Sequence, residues 1–258
     1  MDLIKSADSK YDEYEALLLE RDQVNKEAGQ IWTVYLQTFG RLITENYEEK
    51  LECVKCKKTI AYCQNALNRG GAVDPKAMQE YLDREMAGYN DNLKKMIEDS
   101  RRADEARLSS AYEVRRAKEL YRRLAKLIHP DLNPATDKSE ELQELWQRIL
   151  SAYGKNSVKE LTELEVLVRK VLKESGVGST KVEIPDIADK IEEIKKEIEE
   201  IRRTEPYSLK YLVEDEEAAQ KKKDEIAKET EEYKKYRKEL TEIIVGMMAS
   251  GGLQFHVE

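Results

Sequence analysis

Few residues in this chain are suited to chemistry. The histidines are His129 and His256, and the cysteines are Cys53, Cys56 and Cys63. The Cys53-x-x-Cys56 spacing invites a metal reading, but a structural zinc site wants four ligands, usually on turns, and neither a fourth Cys nor a nearby His follows. From Cys53 the steps to Cys56, Ile60, Cys63 and Leu67 are three, four, three and four, which places all five on one helix face as a heptad seam. Packed core thiols are therefore expected, with no metal and no cofactor. The sequence has no glycine-rich phosphate loop and no nucleophile motif, so an enzyme is not expected.

The stretch with the most pronounced pattern is Tyr121-Arg-Arg-Leu-Ala-Lys-Leu-Ile-His-Pro-Asp-Leu-Asn133. Val114, Ala117, Tyr121, Leu124 and Ile128 share one helical face before it ends. Leu142, Leu145, Trp146, Ile149, Ala152 and Tyr153 share one face after it. Pro130 lacks an N–H and disfavours helical geometry at His129, so the first helix stops there. Ser139 is an N-cap candidate, with Glu140 and Glu141 favoured by the helix dipole. Two apolar faces joined by so short a loop predict an antiparallel helical hairpin. His129, Pro130 and Asp131 are expected at its exposed tip, without core duties. Between Glu113 and Lys126 six cations (Arg115, Arg116, Lys118, Arg122, Arg123 and Lys126) face two carboxylates, a local excess of four positive charges in a chain of net charge −8. Such a reversed patch steers an acidic partner; acidic helices of the same chain covering it is the alternative.

Tyr121-Arg-Arg-Leu-Ala-Lys, His129-Pro130-Asp131 and Trp146-x-x-Ile149-x-x-Ala152-Tyr153 together resemble the J-domain of the DnaJ-type co-chaperones, over about 40 of 258 residues. In that family a basic helix and a His-Pro-Asp loop engage a DnaK-type (70 kDa heat-shock) chaperone and stimulate its ATPase. The resemblance implies that His129, Pro130 and Asp131, with Tyr121, form the contact loop, and that Arg122, Arg123 and Lys126 form the electrostatic docking face. It also implies that Leu124, Trp146, Ile149 and Tyr153 hold the hairpin together. Trp146 stands where the family usually has Phe. The family's short Tyr-x-x-Leu-Gly-Val first helix and its Gln-Lys-Arg-rich fourth helix are missing, so other helices of this chain must buttress the hairpin.

Composition sets the frame. Charged residues make up 38% of the chain and aromatics 7%, with 5 Pro and 11 Gly, which points to long solvated helices. The acidic balance argues against nucleic-acid and anionic-membrane binding. No transmembrane run or signal peptide is legible, and three cysteines fit a reducing cytoplasm.

The elements expected are all helical. A helix from Asp8 to about Arg69 carries Gly29 and Gly40 as candidate bends. Asn68-Arg-Gly-Gly71 ends it, and Asp74-Pro75 starts a second helix that folds back on the first and shows no clear stop before Val114. Gly154-Lys-Asn-Ser157 turns into a helix from Val158 to Lys173, and Glu174–Thr180 reads as a linker. Ile184, Ile187, Ile191, Ile194, Ile198 and Ile201 form a heptad seam, and after a break at Thr204–Ser208 a charged helix runs to Met247. The last two are expected to pair as an antiparallel coiled-coil hairpin.

The reading is an all-α chain of elongated helical hairpins and coiled coils flanking a J-like hairpin. Its segments are 1–100, 101–175 and 181–250. Its expected work is that of a cytoplasmic co-chaperone or adaptor for a DnaK-type ATPase with an unidentified protein client. The alternative is a scaffolding coiled-coil protein that keeps the hairpin only as a packing unit. Self-association through the isoleucine seam is a further option.

Overall fold

The chain is all-α. The computed structural model describes residues 2–175 and 184–249, and no strand occurs among them. Its helices are α1 (Asp2–Asn68), α2 (Pro75–Glu105), α3 (Ala111–Ile128), α4 (Glu140–Gly154), α5 (Val158–Ser175), α6 (Ile187–Arg203), α7 (Lys210–Glu214) and α8 (Glu216–Ala249), with a 3-10 turn at Tyr207–Leu209. None is long and apolar enough to cross a membrane. Most of the expected linker and the whole C-terminal tail, His256 included, lie outside the described residues.

Helix boundaries follow local chemistry. α1 ends where Gly70 takes φ +67 and the Gly71 N–H bonds the Ala66 carbonyl at 3.1 Å, a left-handed cap that glycine adopts without strain. The Asp74 carboxylate accepts from the N–H groups of Lys76 and Ala77, with Pro75 at the first helical position. The expectation that α2 continues into α3 is corrected: the chain breaks between Glu105 and Ala111. Ser110 and Glu113 form a reciprocal capping box that starts α3 afresh.

By contact the chain falls into two units, divided differently from the three consecutive segments expected. One comprises α1 up to Trp32 with Arg107–Leu209; the other comprises α1 from Thr33, α2, α7 and α8. In the first unit α3 and α4 run antiparallel: Tyr121 stacks on Tyr153 with ring centroids 4.0 Å apart, while His129 meets Trp146 edge-on at 4.9 Å. α5 packs against both helices. The buried core joins Leu120, Tyr121, Leu124 and Ile128 to Leu142, Ile149, Ala152, Leu161, Leu164 and Val168.

The isoleucine seam finds a different partner from the one expected. Ile191, Ile194 and Ile198 are buried with Tyr14, Leu18 and Val24 of α1. Lys195 pairs with Glu13 at 3.0 Å and Arg202 with Glu20 at 2.8 Å, so the numbers rise together and α6 runs parallel to α1. An antiparallel hairpin with α8 is therefore not what closes this seam.

In the second unit α1 and α2 form the expected antiparallel hairpin. Gln37 Nε2 donates to the Ala103 carbonyl at 2.7 Å, and Lys58 pairs with Glu85 at 2.8 Å. α8 is parallel to α1: Asn46 Nδ2 donates to Thr230 Oγ1, the Cys53 thiol to the Tyr233 carbonyl, and Arg237 pairs with Glu49. Cys53 and Cys63 are buried, and burial pushes both thiols up from their ordinary pKa.

Candidate protein-docking site

The stop at His129-Pro130-Asp131 builds a compact loop. His129 is the C-cap of α3, its N–H bonded to the Ala125 carbonyl, and its own carbonyl accepts from the N–H groups of Leu132 and Asn133. Asn133 donates from Nδ2 to the Leu127 carbonyl at 2.9 Å and accepts from the Ala135 N–H. Ser139 then caps α4 by accepting from the Leu142 N–H. Thr136 is fully buried in this loop, and its hydroxyl has no hydrogen-bond partner among the described residues.

The expected exposed tip is half right. Asp131 is exposed, its side chain at 43%, and Pro130 is half-buried. His129 is 3% exposed, and this corrects the expectation that it has no core duties. Its ring lies against Trp146, and its Nδ1 accepts the Asp131 backbone N–H at 3.1 Å. With Nδ1 an acceptor, Nε2 carries the proton of the neutral ring and faces Asp22 Oδ2 at 3.5 Å. The same carboxylate oxygen accepts from the Tyr121 hydroxyl at 2.5 Å. Burial pushes the Asp22 carboxyl up, but hydrogen bonds from His129 and Tyr121 and the charge of Arg21 outweigh it and hold Asp22 below its ordinary value. Tyr121 is displaced upward by burial and by Asp22.

Arg21 links this network to the surface. It lies 3.5 Å from Asp22, 3.5 Å from Asp131 and 3.4 Å from Glu197 of α6. A second buried polar group stands beside it. Lys26 Nζ donates to Asn156 Oδ1 at 2.5 Å and lies 3.6 Å from the centre of the Tyr153 ring, whose hydroxyl bonds Gln23. Asn156 holds φ +52, a left-handed geometry that asparagine tolerates.

The basic face is partly neutralised from within. Arg123 makes a two-pronged contact with Glu165 of α5, at 3.2 and 2.8 Å, and Lys126 pairs with Glu15 of α1 at 2.6 Å. Arg116 pairs with Glu119 along α3. Arg122 is exposed. The hydrogen bond from Arg123, helped by Arg169, holds Glu165 down at about 2 against the opposing effect of burial. The hairpin residues Leu124, Trp146, Ile149 and Tyr153 are all buried together in the core of α3, α4 and α5.

Arg21, Asp22, Lys26 and Glu15 were not singled out in the sequence. A signal for one of them exists: Tyr14, Leu18 and Asp22 step by four, which sets a carboxylate in line with an apolar stripe. No family model, no curated protein and no solved structure matches this chain.

Proposed function

We propose that the α3–α4 hairpin is a protein-docking module of J-domain type. It presents Asp131 and Arg122 to a DnaK-type ATPase and couples that contact to the chaperone's hydrolysing state. The observation that carries the reading is the way Asp131 is held. Its backbone N–H is fixed on His129 Nδ1, and His129 is itself fixed between Trp146 and Asp22. A carboxylate that stays 43% exposed on a loop so firmly seated is pre-organised for a cationic partner. In this reading Asp131 makes the contact and His129 positions it. Arg122 steers the approach of an acidic surface.

A second reading has its own support. Arg21 on Asp131, Glu165 on Arg123 and Glu15 on Lys126 are the contacts expected if the hairpin serves only as a packing unit of a scaffold.

Steady-state ATPase of a DnaK-type chaperone, measured with wild type, Asp131→Asn and Arg122→Ala, separates the two. Stimulation by wild type that Asp131→Asn abolishes supports docking. The absence of stimulation by any of the three supports the scaffold.

A further inference from the structure

The apolar contacts of α6 are separate from the core of the bundle it lies beside. Ile191, Ile194 and Ile198 bury against Tyr14, Leu18 and Val24, and none of the six belongs to the core formed by α3, α4 and α5. One further residue is buried in that seam: Leu132, which directly follows the His129-Pro130-Asp131 turn and is 4% exposed. The loop thus reaches out of its own bundle and into the α1–α6 seam.

The charged contacts repeat this arrangement. Arg21 binds Asp131 of the loop and Glu197 of α6 at nearly equal distances, 3.5 and 3.4 Å. It supplies the Asp131 carboxylate with a cation from the same chain, which is what a docking partner has to supply. The rim pairs that hold α6 down, Lys195–Glu13 and Arg202–Glu20, join side chains that are 43–48% exposed, so they are screened and weak.

We propose that α6 is a releasable strap. Seated on α1, it helps bury Leu132 and draws Arg21 into the Glu197 pair beside the loop; lifted from α1, it uncovers Leu132, next to the already exposed Asp131, while α3, α4 and α5 stay folded. This rests on the docking reading of Asp131. It adds a resting state in which α1 and α6 together occupy the loop. A partner that binds Leu132 and Asp131 competes with the strap and lowers its occupancy, so docking and strap release favour each other.

Two full-length variants test it. Ile194→Asp removes the middle of the seam. Lys195→Glu combined with Arg202→Glu turns the two rim pairs into repulsions without touching a buried side chain, and so covers the case in which the first variant does not fold. Hydrogen–deuterium exchange and chaperone ATPase are measured on both beside wild type. Expected are faster exchange in α6 with protection in α3, α4 and α5 unchanged, and ATPase stimulation at least about fivefold above wild type, cancelled by adding Asp131→Asn. Exchange that rises in α3, α4 and α5 together with α6 overturns the strap. So does stimulation that stays at the level of an active wild type while α6 loosens. If α6 loosens alone and no variant stimulates, wild type included, the docking reading falls and the strap's regulatory role falls with it.

Discussion

His129 Nε2 faces Asp22 Oδ2 at 3.5 Å, and the hydroxyl of Tyr121 shares that oxygen at 2.5 Å. One carboxylate from α1 therefore satisfies two buried donors of the α3 helix and its cap. Asp22→Ala leaves both without an acceptor, at an expected cost of about 3 kcal/mol. Asp22→Asn retains an acceptor oxygen and should cost less than half of that. Urea unfolding followed by tryptophan fluorescence measures both. The same geometry makes His129→Gln a poor probe of docking, since it disturbs folding and function together. Asp131→Asn changes an exposed group and is the cleaner variant.

Glu165 is held at about 2 by the hydrogen bond from Arg123, with Arg169 assisting. A carboxyl lowered by folding contributes stability that is complete above its unfolded value near 4.5 and lost as pH falls from there towards 2. Glu165→Gln should lower the urea midpoint at pH 6. It should also flatten the fall in stability between pH 4.5 and 3 relative to wild type. The pair is partly exposed on the Arg123 side, so the loss at pH 6 should be about 1 kcal/mol. Equal acid slopes in wild type and variant would remove Glu165 from the account.

The helices themselves were legible because periodicity, caps and breakers are local. Gly70, Asp74, Pro130, Ser139 and Ser157 each act within four residues of where they stand. The hairpin core was legible for the same reason: Leu124, Trp146, Ile149 and Tyr153 lie on faces that periodicity reveals. What was not legible depends on partners far away in the chain. Tyr121 meets Asp22 across 99 positions, and no local pattern announces that. The seam of Ile191, Ile194 and Ile198 declares that it needs an apolar stripe but not which one. Sequence proximity suggested α8, whereas Tyr14 and Leu18 of α1 provide it. The Ser110-x-x-Glu113 capping box was in plain view, yet the continuous helical pattern around it concealed the break.

Gly29 and Gly40 look alike in the sequence, and α1 runs through both. They differ in what surrounds them. A Cβ on Gly29 meets nothing within 4 Å, whereas one on Gly40 comes within 2.6 Å of Ser100 Oγ and 3.2 Å of Ser100 Cβ, where α2 crosses closely. Gly29→Ala should therefore stabilise by up to about 1 kcal/mol through helix propensity. Gly40→Ala should lose that gain to the clash and come out destabilising by about 1 kcal/mol. Thermal unfolding of the two variants decides it, and a matching gain from both would mean that α2 can yield at Ser100.

Thr136 is fully buried in the loop between α3 and α4, and its hydroxyl has no partner among the described residues. Its backbone N–H bonds the Asn133 carbonyl whatever the side chain, so the turn does not need the hydroxyl. Thr136→Val keeps the shape and removes an unsatisfied polar atom. It should raise stability by about 1 kcal/mol, seen as a higher urea midpoint with an unchanged slope.

Lys26 gives the sharpest dependence on alkaline pH. Burial, with Lys118 adding to it and Glu27 opposing, lowers its ammonium from 10.5 to about 8. Between those values the unfolded chain binds the proton that the folded chain has released, so this group makes stability rise with pH from about 8 to 10.5. Lys26→Met removes the titration but also the hydrogen bond to Asn156 Oδ1 and the contact over the Tyr153 ring. At pH 7, where the wild-type ammonium is still charged and bears its burial cost, the variant's deficit should be smallest. The wild type should then gain on it steadily up to pH 10. Urea midpoints of both proteins at pH 7, 8.5 and 10 test this, and a constant difference across the three would mean that Lys26 titrates alike in the folded and unfolded chains.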